Sequence, residues 1–84
     1  MVPEKSFLGG IVMSALLGRR LRGLRRLKRL TQKELAGYLG ISVSMLSTIE
    51  RGEKYPRVEL LKKIARVLDV PPEELFVMPD TIQE

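Results

Sequence analysis

The side chains able to do chemistry in this 84-residue chain form a narrow set. Histidine and cysteine are both absent, which removes the commonest general base, the commonest metal ligand, thiolate nucleophiles and disulfides together. No glycine-rich phosphate loop and no convincing carboxylate pair replaces them, so neither an enzyme nor a cofactor or metal site is expected. What remains is a cluster of small hydroxyls, Ser42, Ser44, Ser47 and Thr48, with Val43 among them, and a large supply of cations. Hydroxyls donate and accept hydrogen bonds without titrating, and guanidinium and ammonium groups pair with phosphates. This is the chemistry of recognition.

The cations are unevenly spread. Lysine and arginine number 15 against 10 acidic residues, a net charge of +5. Eight basic residues and no acidic one lie between Arg19 and Lys33, whereas five acidic residues and no basic one lie between Asp69 and Glu84. A basic body with an acidic tail favours a phosphate backbone or an acidic membrane as partner, with a solvated helix face as the plain alternative. The run Phe7 to Gly18 holds twelve residues, well short of the roughly 20 that span a bilayer, and lacks the features of a cleaved leader. The expectation is a cytoplasmic protein outside the membrane.

The elements that would position the hydroxyls can be read from periodicity and caps. Residues 1–14, with Pro3, Gly9 and Gly10, show no clean period and suggest a flexible lead-in. From Leu16 to Lys28, Leu17, Leu21 and Leu24 recur at helical spacing between arginines, and Leu27 falls off that stripe. Thr31 with Glu34 makes a capping box, Leu30 and Leu35 have the spacing of a hydrophobic staple, and Gly40 ends the helix. Ser42 caps the next one, which buries Leu46 and Ile49, turns Val43, Ser44, Ser47 and Thr48 outward, and stops before Gly52. Val58 to Leu68 supplies Leu61, Ile64, Ala65 and Leu68, and "PPEELF" a last turn with Pro72 well placed. No segment alternates like a strand. The fold class is all-α, a compact bundle of five short helices.

Two helices of barely two turns, joined by a tight glycine turn, with small polar residues on the outside of the second, describe a helix-turn-helix. The first braces against the core. The second enters a major groove about 12 Å wide, where small side chains let its backbone approach the base edges.

On the segments "LRGLR", "LTQKELAGYLGIS", "LSTIERGEKYP" and "LLKKIARVLDV…EELF", the chain resembles the Cro/CI-type, lambda-repressor-like (Xre-family) transcriptional regulators. The likeness covers roughly 60 residues in one register, giving a domain over 15–77 with its motif at 32–51 and an acidic tail at 78–84. The resemblance implies that Gln32 contacts a phosphate and helps orient base contacts. It implies that Val43, Ser44, Ser47 and Thr48 face bases, and that Arg51, Lys54 and Tyr55 lie beside the sugar-phosphate backbone. It further implies a structural ion pair between Arg25 and Glu50, double-stranded DNA as partner, and a homodimer on two-fold-related half-sites.

Departures from the family pattern are equally specific. Arg29 and Asp69 stand where the family often has glycine. Arg57 replaces the usual serine or threonine cap, which should weaken that helix start by roughly 1 kcal/mol. Before Arg51 the recognition face has no glutamine, asparagine or arginine, so bidentate reading of adenine or guanine is not available from its centre. Val43 can pack on a thymine methyl. The surface joining two copies is expected in "LFVMP", Leu75 to Pro79 with Phe76, Val77 and Met78, or around Phe7, Leu8, Ile11 and Val12. With sixteen residues after Leu68, no separate effector domain is expected within this chain. The alternative is an antitoxin or co-regulator adaptor that acts mainly through protein–protein contacts.

Overall fold

A computed structural model describes the backbone of residues 3–76 and the side chains of residues 13–75. Four α-helices run in order, α1 (Pro3–Leu27), α2 (Gln32–Leu39), α3 (Val43–Glu50) and α4 (Val58–Leu68), followed by a 3-10 turn at Pro72–Phe76. The described residues contain no strand. The all-α class stands, with two corrections to five short helices. The last element is a 3-10 turn, as its first-position proline and short length favour. The first is a single helix of 25 residues.

The helix thus reaches back to Pro3, through most of the segment expected as a flexible lead-in over 1–14. Proline suits a first helical turn, and two glycines cost only about 1 kcal/mol each in a helix interior. Neither is a stop signal when no left-handed residue follows. The tail at 78–84, with Val77 and Met78 of the apolar segment, lies outside the described residues. So do the side chains of Phe7, Leu8, Ile11, Val12 and Phe76.

All four helices end in the same way. Arg29, Gly40, Gly52 and Asp69 have φ of 62°, 73°, 80° and 59°. Around each, the next amide reaches five residues back, as in Leu30 N to Arg25 O (3.1 Å) and Val70 N to Ala65 O (3.0 Å). This is the Schellman closure, which satisfies two orphan carbonyls per helix. The two positions noted as departures from glycine therefore keep the left-handed backbone with a side chain attached. At the helix starts, Thr31 and Glu34 close their capping box, and Ser42 Oγ accepts from the Met45 amide at 3.0 Å. Arg57 makes no side-chain cap. Helix α4 is held instead by its buried face of Leu61, Ile64, Ala65 and Leu68.

These faces converge on one core. Leu21, Leu35, Leu46, Ile49, Ile64 and Leu68 are its largest fully buried side chains, each contributing about 1.5–3 kcal/mol of hydrophobic transfer. Leu27, off the stripe, is 74% exposed. Helix α1 packs closely on α3, and Gly18 is the reason. A β-carbon there would lie 2.5 Å from the Glu50 carbonyl oxygen and 2.7 Å from that of Ile49. Gly52, just past α3, is constrained twice, by its positive φ and by Ala15 Cα at 2.8 Å from where its β-carbon would be. The two glycines let the C-terminal end of α3 press against the backbone of α1.

Candidate nucleic-acid interface

Helices α2 and α3 pack on each other across the turn at Gly40–Ser42. Leu35, Ala36 and Leu39 of α2 and Leu46 and Ile49 of α3 are buried, so the remaining faces are set by helical geometry. At the start of α3, Val43 (42% exposed) and Ser44 face solvent. Ser47 and Thr48, one turn on, are half-buried. Both already have partners. Thr48 Oγ1 donates to the Ser44 carbonyl at 2.8 Å, which leaves its lone pairs as acceptors. Ser47 Oγ accepts from Arg51 Nη1.

Arg51 is the most engaged residue of the exposed face. Its Nε and Nη2 donate to the two carboxylate oxygens of Glu53, at 3.1 and 3.0 Å. The hydrogen bond and charge of Glu53 raise the Arg51 pKa, and those of Arg51 lower that of Glu53. Lys54 and Tyr55 follow, both exposed, Tyr55 by 40%. Val43, Ser44, Arg51, Lys54 and Tyr55 thus lie open along α3 and the loop after it.

Gln32 and the Arg25–Glu50 pair come together rather than standing apart. Arg25 Nε and Nη2 donate to Glu50 Oε2 and Oε1 at 2.7 and 3.1 Å. Gln32 Nε2 donates to the same Oε1 at 3.0 Å, and Arg25 Nη1 caps the Leu30 carbonyl at 2.8 Å. Arg22 Nε stands 3.6 Å from Glu50 Oε1. Burial raises the Glu50 pKa, but the hydrogen bonds of Arg25 and Gln32 and the charges of Arg25 and Arg22 outweigh it. The carboxyl is held below its ordinary 4.5. Three segments, α1, the start of α2 and the end of α3, are therefore tied to one buried carboxylate.

Sequence reasoning did not find Gly18, Arg22 or a further ion pair between Arg20 and Glu74. Arg20 Nε donates to the Glu74 carbonyl at 2.7 Å and its Nη2 pairs with the Glu74 carboxylate, which joins α1 to the 3-10 turn. Nothing local signals a pair 54 residues apart. The separation into basic body and acidic tail is the available hint. Among the described residues no cluster of acidic side chains could hold a metal, and no helix is long and apolar enough to cross a membrane.

The arrangement has known counterparts. Residues 21–75 match the helix-turn-helix family model HTH_3. The chain is 47% identical over 58 residues to the uncharacterized HTH-type transcriptional regulator YazB of Bacillus subtilis, covering 69% of this chain and 84% of YazB. To the HTH-type transcriptional repressor RghR of the same organism it is 38% identical over 68 residues, covering 80% of this chain but 50% of RghR. It thus spans most of one relative and half of the other. Among solved structures, the restriction-modification controller protein C.AhdI from Aeromonas hydrophila superposes with a TM-score of 0.71 at 39% identity, covering 74% of this chain and 94% of C.AhdI. The clp gene regulator ClgR from Corynebacterium glutamicum does so with a TM-score of 0.74 at 33% identity, covering 76% and 68%. With α2, the Gly40 turn and α3 in the matched register, this chain belongs to the HTH_3 helix-turn-helix family of DNA-binding transcriptional regulators.

Proposed function

We propose that the chain binds specific sequences in double-stranded DNA with α3 in the major groove, and that it does so as a homodimer. The observation that carries this reading is the solvent exposure of Val43 and Ser44 at the start of α3, beside Arg51, Lys54 and Tyr55. The N-terminal residues of a recognition helix are the ones that meet base edges, and cations and hydroxyls beside them meet phosphates. In this reading Val43, Ser44, Ser47 and Thr48 contact bases. Gln32, Arg51, Lys54 and Tyr55 contact the sugar-phosphate backbone. Arg25 and Glu50 tie the first helix, α1, to the recognition helix α3.

A single helix with so few bidentate side chains reads few base pairs. Specificity then comes from two copies on a pseudo-palindrome with half-sites about 34 Å apart, one helical turn. Pairing that is weak in solution is strengthened when DNA holds both copies. The domain is taken as 15–77, and the cytoplasm as its compartment.

Selection of sites from random duplex DNA, followed by footprinting, tests the whole reading. The expected product is a two-fold symmetric site protected on both half-sites. Ser44→Ala or Thr48→Ala then shifts base preference, while Gln32→Ala weakens all duplexes alike. Recovery of no preferred sequence, or full affinity with one protected half-site, overturns sequence reading or dimeric binding respectively.

A further inference from the structure

Glu50 gathers more positive charge than it needs. Its side chain is wholly buried, and Arg25 already meets both of its oxygens. That bidentate contact neutralises the carboxylate. A second cation, Arg22, nevertheless stands 3.6 Å from Oε1, and Gln32 Nε2 donates to that same oxygen. Arg22 and Arg25 are three residues apart on α1 and so share a face. One carboxylate, two guanidiniums and an amide leave a net local charge of about +1.

The spare hydrogens are where that charge can act. The Arg22 side chain is 40% exposed, and its 3.6 Å approach to Glu50 leaves its Nη groups with donors to offer. Gln32 commits one amide hydrogen to Glu50 and retains the other. Gln32 is hydrogen-bonded to that buried oxygen and Arg22 is drawn toward it by charge, and both residues, on different helices, are half-buried and so in reach of solvent. A tetrahedral anion with several acceptor oxygens suits such a pair, because it can take a hydrogen bond from each.

We propose that Arg22 and Gln32 form a clamp for one DNA backbone phosphate, with Glu50 as the residue that positions both. Arg22 is the new binding residue, and its contact is independent of sequence. This rests on the DNA-binding reading above. It assigns a function to one arginine of the basic helix α1 and separates it from Arg20, which is taken up by Glu74.

The test uses the full chain with an unrelated duplex and a duplex recovered by selection, titrated between about 50 and 200 mM salt. Arg22→Gln is expected to bind both duplexes roughly tenfold more weakly at the low-salt end, with the log–log slope shallower by about 0.9 per bound protomer. Its base preference and denaturant midpoint stay as in the wild type. Arg22→Lys keeps the charge and most of the slope. Arg66→Gln, an exposed cation of α4, removes the same net charge and leaves the slope unchanged. A slope for Arg22→Gln equal to that of the wild type overturns the clamp while leaving DNA binding intact. Wild-type binding without salt dependence overturns the DNA reading itself.

Discussion

Two arginine–carboxylate forks, three residues apart in their acidic members, occupy opposite physical regimes. Arg25 with Glu50 and Arg51 with Glu53 both show two parallel hydrogen bonds of 2.7–3.1 Å. Their chemistry is the same. Their surroundings are not. The Arg25 and Glu50 side chains are 9% and 0% exposed, those of Arg51 and Glu53 49% and 58%. In the first, burial makes every unpaired charge expensive, so the fork holds α1 on α3, and Gln32 on the same carboxylate adds α2. In the second, water competes for both partners, so the fork adds little to stability and is free to open for a phosphate. Geometry alone would rank them together; solvent separates them.

The largest effect should come from breaking the buried fork. Glu50→Ala leaves Arg25 without its counter-charge and is expected to cost about 3–5 kcal/mol in urea unfolding. A double-mutant cycle with Arg25→Ala should show strong coupling. Glu53→Ala is expected to leave the urea midpoint where it was. Equal losses at 50 and 53 would abolish the contrast.

Next in size is the close approach that buries Glu50. Gly18→Ala forces a β-carbon against the Glu50 and Ile49 carbonyls and should cost about 1–3 kcal/mol, as overpacked sites do. Gly23→Ala, on the same helix with nothing within 4 Å, should stabilise by about 0.4–1 kcal/mol. If Gly18→Ala also stabilises, α1 and α3 are not held as closely as described.

Acid should reach the buried pair through Glu50. Its folded-state pKa lies below 4.5, so the unfolded chain takes up a proton before the folded one does. The stabilisation is complete above the unfolded value and is lost as pH falls through the folded one. Melting temperatures of the wild type should drop below about pH 4.5 more steeply than those of Glu50→Gln. Parallel curves would show that this carboxylate does not carry the acid sensitivity.

The smallest effect belongs to the exposed fork and shows only in binding. Glu53→Gln removes a negative charge from the proposed DNA face and frees Arg51. Affinity for duplex DNA is expected to rise by roughly 2–5-fold at low salt, with unchanged unfolding. A weaker complex would mean that Glu53 holds Arg51 in its productive orientation.

How much of this was legible follows from how far each signal travels along the chain. The capping box at Thr31, the Ser42 cap and the glycine closures at Gly40 and Gly52 involve partners within five residues. Local spacing therefore revealed them, and with them the motif. The Arg25–Glu50 pair was available through the family resemblance, since no spacing rule joins positions 25 residues apart. The extent of α1 was missed because glycines at positions 9 and 10 look like a break, although helix continuation tolerates them.

Amino-acid order by itself determined the recognition motif: where α2, α3 and α4 begin and end, which faces are apolar, and that the chain carries neither histidine nor cysteine. These depend on caps, periodicity and composition, all short-range or global quantities. Only the tertiary structure decided how Gln32, Arg22 and Arg25 share one buried oxygen, that Gly18 must be bare, and that Arg20 is spent on Glu74. Each of those depends on which helix faces which, at what distance and with how much water between them. The strength of a charge pair is set by that water, and sequence spacing does not contain it.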